Sequence, residues 1–277
     1  MITRFAPSPT GLLHLGHAFS ALTAWDIARA AGGRFLLRIE DIDGPRCRPA
    51  FERAIDEDLH WLGLDWPLPV MRQSDRVPAY AEALARLAGM GLIYPCSCTR
   101  ADIRAALTAP QEGAPGPDGP PYPGTCRGRA MASMRPGDAL RLDIARAVAL
   151  TGAIAFEETG PEHAGRHETM PAEMITGIGD VVLARKDIAT SYHLSVVVDD
   201  AAQGVTHVVR GADLFAATPL HRLLQHLLGL PAPIYHHHRL IRDETGKRLA
   251  KRDDARAIRA YRAAGESPAS LRAMLGL

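Results

Sequence analysis

Apolar and polar positions over the first ninety residues follow two periods in turn. The runs ITRFA at 2–6 and RFLLRIE at 34–40 are short and mostly apolar, the pattern of buried strands. Between them, 17–31 (HAFSALTAWDIARAA) predicts a helix of good formers, stopped by Gly32 and Gly33. Phe51, Ile55, Leu59 and Leu62 form a helical stripe. Ser74 predicts the N-cap of the next helix, which runs to the glycines at 89 and 91. Strands and helices alternating at these lengths predict a parallel sheet with crossover connections.

The pattern breaks over 96–130, which holds three cysteines and the stretch PQEGAPGPDGPPYPG, too rich in proline and glycine for regular structure. Short strands are predicted at 139–144 and 153–158. From 180 the αβ rhythm returns through DVVLARKD, YHLSVVVDD, VTHVVRG, a helix over 219–228, and IYHHHRLI. Two short helices follow, the last capped by Ser267 with Pro268 in its first position. Asp199 and Asp200 are expected at a strand end and are given no role. His236, His237 and His238 invite a metal, but adjacent strand residues alternate faces and three in a row do not share one ion. The expected organisation is a discontinuous α/β domain (1–95 and 181–250), an insert at 96–180 and a helical tail at 251–277.

Composition narrows the class. The chain has 277 residues, enough for a sizeable core, with 47% hydrophobic and 23% charged residues, ordinary for a soluble enzyme. A net charge of +1 announces no global affinity for nucleic acid, although a local basic face is compatible with it. No run approaches membrane-spanning length and the N-terminus lacks a secretory pattern, so a cytoplasmic protein with no membrane partner is expected. Cys47, Cys96, Cys98 and Cys126 are the cysteines. In that compartment their clustering points to metal more than to disulfides. Cys96, Cys98 and Cys126 supply three thiolates for one tetrahedral Zn2+, a structural ion that would pin an insert with little core of its own. Buried free thiols are the plain alternative. Cys47, His163 and His167 are candidates for a fourth ligand.

The stretch RFAPSPTGLLHLGH at 4–17 carries the chemistry. It is strand, stiff turn and helix start, and open parallel sheets bind ligands beyond the carboxyl ends of their strands. The free N–H groups and partial positive charge of a helix start suit phosphate. His14 and His17, three residues apart on a first turn, share a face and can donate together to charge developing on an α-phosphate. The bland alternative is that both are polar caps. GKRLAKR at 246–252 holds two of the three lysines, Lys247 and Lys251, and can neutralise a leaving pyrophosphate. Alone, it would suit a solvated basic turn.

Together these stretches resemble a known set. HLGH resembles the HIGH signature of class I aminoacyl-tRNA synthetases, and RLAKR resembles a degraded KMSKS loop. RFAPSPTG resembles the opening of the glutamyl-tRNA synthetase group. RIEDID at 38–43, YHLSVVVDD at 192–200 and GVTHVVRGADL at 204–214 match in order. The resemblance implies a Rossmann-like doubly wound parallel sheet with a zinc-bearing α+β insert, a short helical stem-contact-like tail and no anticodon-binding domain. RLAKR ends at 252 and the chain at 277, and Val196 stands where full-length enzymes usually carry Asn. Both features resemble the shortened paralogues that act on queuosine in tRNA(Asp). The spacing Cys96-x-Cys98 … Tyr122-x-x-x-Cys126 resembles that group too, and makes Tyr122 the implied fourth ligand.

The implied activity is tRNA-independent. L-glutamate and ATP, the latter carrying Mg2+, give glutamyl-adenylate and pyrophosphate. Glutamate then passes to the cyclopentenediol of queuosine at the wobble position of tRNA(Asp). The matched positions assign catalysis to His14, His17 and Lys251. ATP falls to His14, Gly16, His17, Arg248 and Lys251, and glutamate to Arg4, Ala6, Ser8, Glu40, Tyr192 and Arg210. Arg4 and Arg210 suit the two carboxylates, Glu40 the ammonium and Tyr192 a hydroxyl contact. Singly, Arg4 and Glu40 would suit structural ion pairs. Ala250 replaces the loop's Ser and Arg248 its first Lys, which weakens that match. A monomer is expected. The alternatives are a shortened glutamyl-tRNA synthetase charging a tRNA 3′ end, an inactive RNA-binding module of the same fold, and a HIGH-type adenylating enzyme without RNA.

Overall fold

The computed structural model describes residues 1–106, 119–185, 188–242 and 256–277. In chain order they form β1 (Ile2–Phe5), α1 (Leu15–Ala30), β2 (Arg34–Ile39), α2 (Pro49–Trp61), β3 (Met71–Arg72), α3 (Val77–Gly89), β4 (Ile93–Cys96), α4 (Arg100–Ala106), β5 (Ala139–Leu142) and α5 (Ile144–Thr151). Then follow β6 (Ile154–Glu158), β7 (Gly165–Thr169), α6 (Pro171–Glu173), β8 (Val182–Ala184), α7 (Tyr192–Ala202), β9 (His207–Gly211), α8 (Thr218–Leu227), β10 (Ile234–His238), α9 (Ile258–Ala263) and α10 (Pro268–Leu275).

β1, β2 and β3 are parallel, with α1 and α2 as the crossovers that parallel pairing requires. β9, β10 and β6 are also parallel, and β7 closes that sheet antiparallel to β6. β1 runs beside β9: Thr206 donates its N–H to Ile2 O at 3.0 Å, and Arg4 donates to Val209 O at 3.0 Å. The carboxyl ends of β1, β2, β9 and β10 therefore meet on one side. A separate antiparallel sheet runs β4–β5–β8. The sheets are mixed rather than wholly parallel. Segment 96–180 contributes β5 to this smaller sheet and β6 and β7 to the larger one.

α1 packs through Ala18, Ala21, Leu22, Ala24, Trp25 and Ala28. Its alanines let the helix lie close to the sheet, and Thr3 Oγ1 donates to Ala24 O at 2.8 Å. A side chain on Gly33 would collide with Met1 O at 2.2 Å, so glycine there permits the turn into β2. One apolar core lies around α1 and includes Ile258, Leu271 and Leu275 of the C-terminal helices. Arg272 fixes α10 to α1 by paired bonds to Asp26 at 2.8 and 2.9 Å. A second core joins α3, α5, α7 and α8. Among the described residues no helix is long and apolar enough to cross a membrane.

Three expectations change. α1 starts at Leu15, two residues early, because His14 caps it. Ser74 caps no helix; its N–H and hydroxyl both donate to Asp41, at 2.8 Å each, and Arg76 precedes α3. Asp199 and Asp200 end no strand. YHLSVVVDD is helix α7, capped by Ser191 Oγ, which accepts from Leu194 N–H at 3.3 Å. Its Val run is buried against neighbouring helices, so packing overrides the β preference of branched side chains. Ser267 and Pro268 open α10 as expected.

Candidate active site

His14 and His17 form a reciprocal cap. His14 is extended (φ −122°, ψ 177°), and its Nδ1 accepts from Gly16 N–H at 3.1 Å. His17 Nδ1 accepts from His14 N–H at 3.2 Å. The ring centroids lie 3.8 Å apart. With Nδ1 engaged as acceptor, the neutral imidazole carries its proton on Nε2. Capping and phosphate donation are thus compatible: the cap selects the tautomer that donates through Nε2. A Cβ on Gly16 would stand 3.0 Å from His14 Cε1, so glycine keeps this ring in place.

A cavity of about 550 Å³ gathers Arg4, Ala6, His14, Gly16, His17, Glu40, Tyr192 and Arg210. These come from β1 and its turn, α1, the end of β2, α7 and β9. Ser8 instead lines a neighbouring cavity of about 920 Å³, which shares Glu40, Tyr192, Asp213 and Leu214 with the first. Arg248 and Lys251 lie outside the described residues, as do Lys247 and Ala250. On either side of that segment, Ile241 lines the smaller cavity, Ala257 bridges to His14, and Ile258 N–H donates to Leu13 O at 2.9 Å.

Four buried charges organise the cavity wall. Asp200 accepts from Arg4 Nε at 3.0 Å, Arg4 Nη2 at 3.3 Å and Arg38 Nη1 at 2.7 Å. Burial alone would raise the Asp200 carboxyl; Arg4 and Arg38 outweigh it and hold it below the ordinary carboxylate range. Arg38 Nη2 also reaches Glu40 at 3.0 Å. There burial wins, and Glu40 rises above its usual value despite Arg38. Arg4 spends three of its five N–H donors on Asp200 and Val209, which leaves two. Asp199 faces elsewhere, bonded by Gln73, Arg76 and Tyr80 at 3.0, 3.2 and 2.7 Å. Sequence reasoning missed Arg38 and Asp200. Their signal was present: basic residues on buried strands need a countercharge, and Asp200 ends an apolar run.

The insert brings its cysteines together. Among the described residues, Cys96, Cys98 and Cys126 form the one group of three or more Cys, His or acidic side chains placed so that it could hold a metal ion, with sulfurs within 4.8 Å of one another. Tyr122 hydroxyl sits 3.4 Å from Cys96 Sγ and 3.2 Å from Cys98 Sγ. Cys98 and Cys126 sulfurs are 3.6 Å apart, close to the ~3.8 Å edge of a tetrahedron with ~2.3 Å metal–sulfur bonds. Burial raises the Cys126 thiol, but hydrogen bonds from the Ser97 backbone, Tyr122 and Cys98 outweigh it and lower the group to about 6. Arg141 lies over the Tyr122 ring at 3.8 Å and donates to Cys96 Sγ at 3.3 Å. The donor set fits a zinc ion. Cys47 is outside the cluster; His163 and His167 pack against Phe215 instead.

Residues 1–277 match the family model for tRNA synthetases class I (E and Q), catalytic domain. The chain belongs to this family. A glutamyl-Q tRNA(Asp) synthetase of Rhodobacter capsulatus is 62% identical over 283 residues, covering 100% of both chains. One of Nitratidesulfovibrio vulgaris is 44% identical, covering 99% of this chain and 85% of the relative. The crystal structure of glutamate-tRNA synthetase from Elizabethkingia anophelis superposes with a TM-score of 0.71 at 28% identity. That match covers 91% of this chain and 53% of the other, so the chain spans about half the length of that synthetase. A methionyl-tRNA synthetase of Mycobacterium tuberculosis, 13% identical with a TM-score of 0.62, shares the fold. The mixed sheets above are the catalytic fold of the class I synthetase family, and the chain is an ATP-dependent ligase of that family.

Proposed function

We propose that this protein activates L-glutamate with ATP and transfers it to queuosine in tRNA(Asp). The observation that carries the reading is the convergence of Arg4, Glu40, Tyr192 and Arg210 on the cavity that holds the His14–His17 pair. The identity to the Rhodobacter relative supports it over the whole chain.

In the first step, the α-carboxylate of glutamate attacks the α-phosphorus of ATP. The bond to the bridging oxygen breaks, and pyrophosphate leaves with that electron pair. His14 and His17 donate from Nε2 to the non-bridging α-phosphate oxygens as charge builds. Lys251 and Arg248 neutralise the departing pyrophosphate, and ATP brings Mg2+ for the same end. Arg4 and Arg210 hold carboxylates, Glu40 the ammonium and Tyr192 a polar contact. Ala6 shapes the same pocket through its backbone. In the second step, a queuosine hydroxyl attacks the carbonyl carbon and AMP departs. We assign the acceptor nucleoside to the larger cavity, whose lining includes Ser8 and Tyr192. We assign catalysis to 1–95 and 181–250, with β6 and β7 joined to that sheet, a zinc-bearing insert to the rest of 96–180, and a tail to 251–277.

The deciding experiment is glutamate-dependent ATP–pyrophosphate exchange without RNA, followed by transfer to queuosine-containing tRNA(Asp). Exchange without RNA and transfer to that tRNA are expected. Exchange that appears only with tRNA(Glu) would point to a shortened glutamyl-tRNA synthetase; no exchange under either condition would leave an inactive module.

Zinc held by Cys96, Cys98, Cys126 and Tyr122 pins the insert, where thiolates and backbone otherwise have little core to lean on. Metal analysis of purified protein is expected to find one zinc per chain. Its removal by a chelator, or Cys96→Ser, should lower Tm by several degrees. Protein purified without chelator that carries no zinc would end this assignment.

A further inference from the structure

Glu158, His237 and Arg210 stand at the carboxyl ends of three neighbouring parallel strands, β6, β10 and β9. Register sets His237 opposite Arg210 and Glu158 opposite Tyr235, so Glu158 meets His237 on the diagonal, from the last residue of β6. Glu158 Oε1 accepts the backbone N–H groups of His237, at 2.8 Å, and Gly160. Its Oε2 faces His237 Nδ1. His237 Nε2 lies 2.9 Å from Arg210 Nε. A guanidinium N–H can only donate, so His237 Nε2 accepts and the imidazole proton sits on Nδ1, where Glu158 takes it. Burial, with Arg210 beside it, lowers His237 to about 4, so the ring is neutral. A Cβ on Gly160 would meet His237 O at 2.1 Å and Glu158 Oε1 at 2.7 Å, so the chain closes over this pair only because residue 160 has no side chain.

Arg210 is held from the other side as well. Its Nη1 donates to His221 Nδ1 at 2.9 Å, which leaves the His221 proton on Nε2 to be donated to His193 Nδ1, 2.9 Å away. Nη2 donates to Leu214 O at 3.2 Å and Thr218 Oγ1 at 2.9 Å. Four of five N–H donors are taken, and one on Nη1 remains for a ligand in the smaller cavity. None of these partners is a carboxylate. A carboxylate bonded directly to Arg210 would compete with a substrate carboxylate. A neutral imidazole fixes the guanidinium plane without quenching its charge.

We propose that Glu158, acting through His237, is the positioning residue that holds the Arg210 guanidinium ready to grip a carboxylate of the amino-acid substrate. This rests on the reading of the smaller cavity as the glutamate site. Glu158→Gln tests it with little change of shape. The amide oxygen keeps the two backbone N–H bonds, which turns the amide nitrogen, a donor, toward His237 Nδ1. His237 must then accept there and carry its proton on Nε2, facing the Arg210 Nε–H.

In the exchange assay, E158Q is expected to raise the glutamate KM by about 10- to 100-fold while the ATP KM stays within a few-fold, the effect of leaving two buried donors face to face. Nitrogen-resolved NMR of the imidazoles should find the proton of His237 on Nδ1 and that of His221 on Nε2 in the unmutated protein, a readout that does not depend on the variant folding. Finding the His237 proton on Nε2 there overturns the relay whatever the enzyme does. An unchanged glutamate KM in folded E158Q overturns its role in binding and leaves the proposed function standing. Absence of exchange by the unmutated protein overturns the proposed function, and the role in glutamate binding with it, even if the tautomers are as drawn.

Discussion

His17→Ala slows glutamate-dependent ATP–pyrophosphate exchange by about 10²–10³-fold, the range for losing one donor aimed at developing charge. His17 Nδ1 is occupied by the His14 N–H, so the ring presents an Nε2 proton without having to be protonated. Alanine removes that donor. It also removes the cap on His14 N–H, at about 1 kcal/mol of stability. The two losses separate in His17→Asn, where a short amide can still accept the backbone N–H. H17N should recover most of the thermal stability and little of the rate. Exchange at the unmutated rate in H17A would remove His17 from the chemistry, whatever its Tm.

Asp200→Asn produces the largest expected loss of stability, about 3–5 kcal/mol, the cost of stranding buried charges when one partner of an ion pair goes. In a chain of this size that corresponds to a fall in Tm of roughly 10 °C. Arg4 and Arg38 both lean on this carboxylate, at 3.0 and 2.7 Å. Glutamate KM should rise too, since Arg4 loses the bonds that aim its remaining donors. The pH dependence has a definite sign. Asp200 is held below the ordinary carboxylate range in the folded protein, so its contribution is complete above that range. The contribution is lost as pH falls through the folded value. Denaturant unfolding at pH 7 and at progressively lower pH should therefore show the gap between the unmutated protein and D200N closing on acidification. A gap that is absent at pH 7, or constant with pH, would refute the account.

Much of the site was legible in local pattern. RFAPSPTGLLHLGH announced strand, turn and helix start because proline, glycine and the helix cap act over a few residues. The cysteine cluster was legible from spacing, and the fold brings the sulfurs of Cys96, Cys98 and Cys126 within 4.8 Å of one another. Long-range pairings were not legible. Asp200 lies 196 positions from Arg4, and Glu158 lies 79 from His237; no local period encodes such partners. The VVV run misled because branched residues favour strands on the surface of a sheet but serve equally well inside a helix buried on most sides. His237 was set aside as a ligand because neighbouring strand residues alternate faces. The same alternation turns it toward Arg210.

Glu40, Tyr192, Asp213 and Leu214 belong to both cavities, so the partition between them is only as thick as the side chains that form it. Two fragments, one seated on each side, would need only a short tether to become a single ligand. The gain in affinity from joining them then rests on local concentration rather than on new contacts, and a short, stiff link preserves most of it. Inhibitor design against this protein can start from that shared wall.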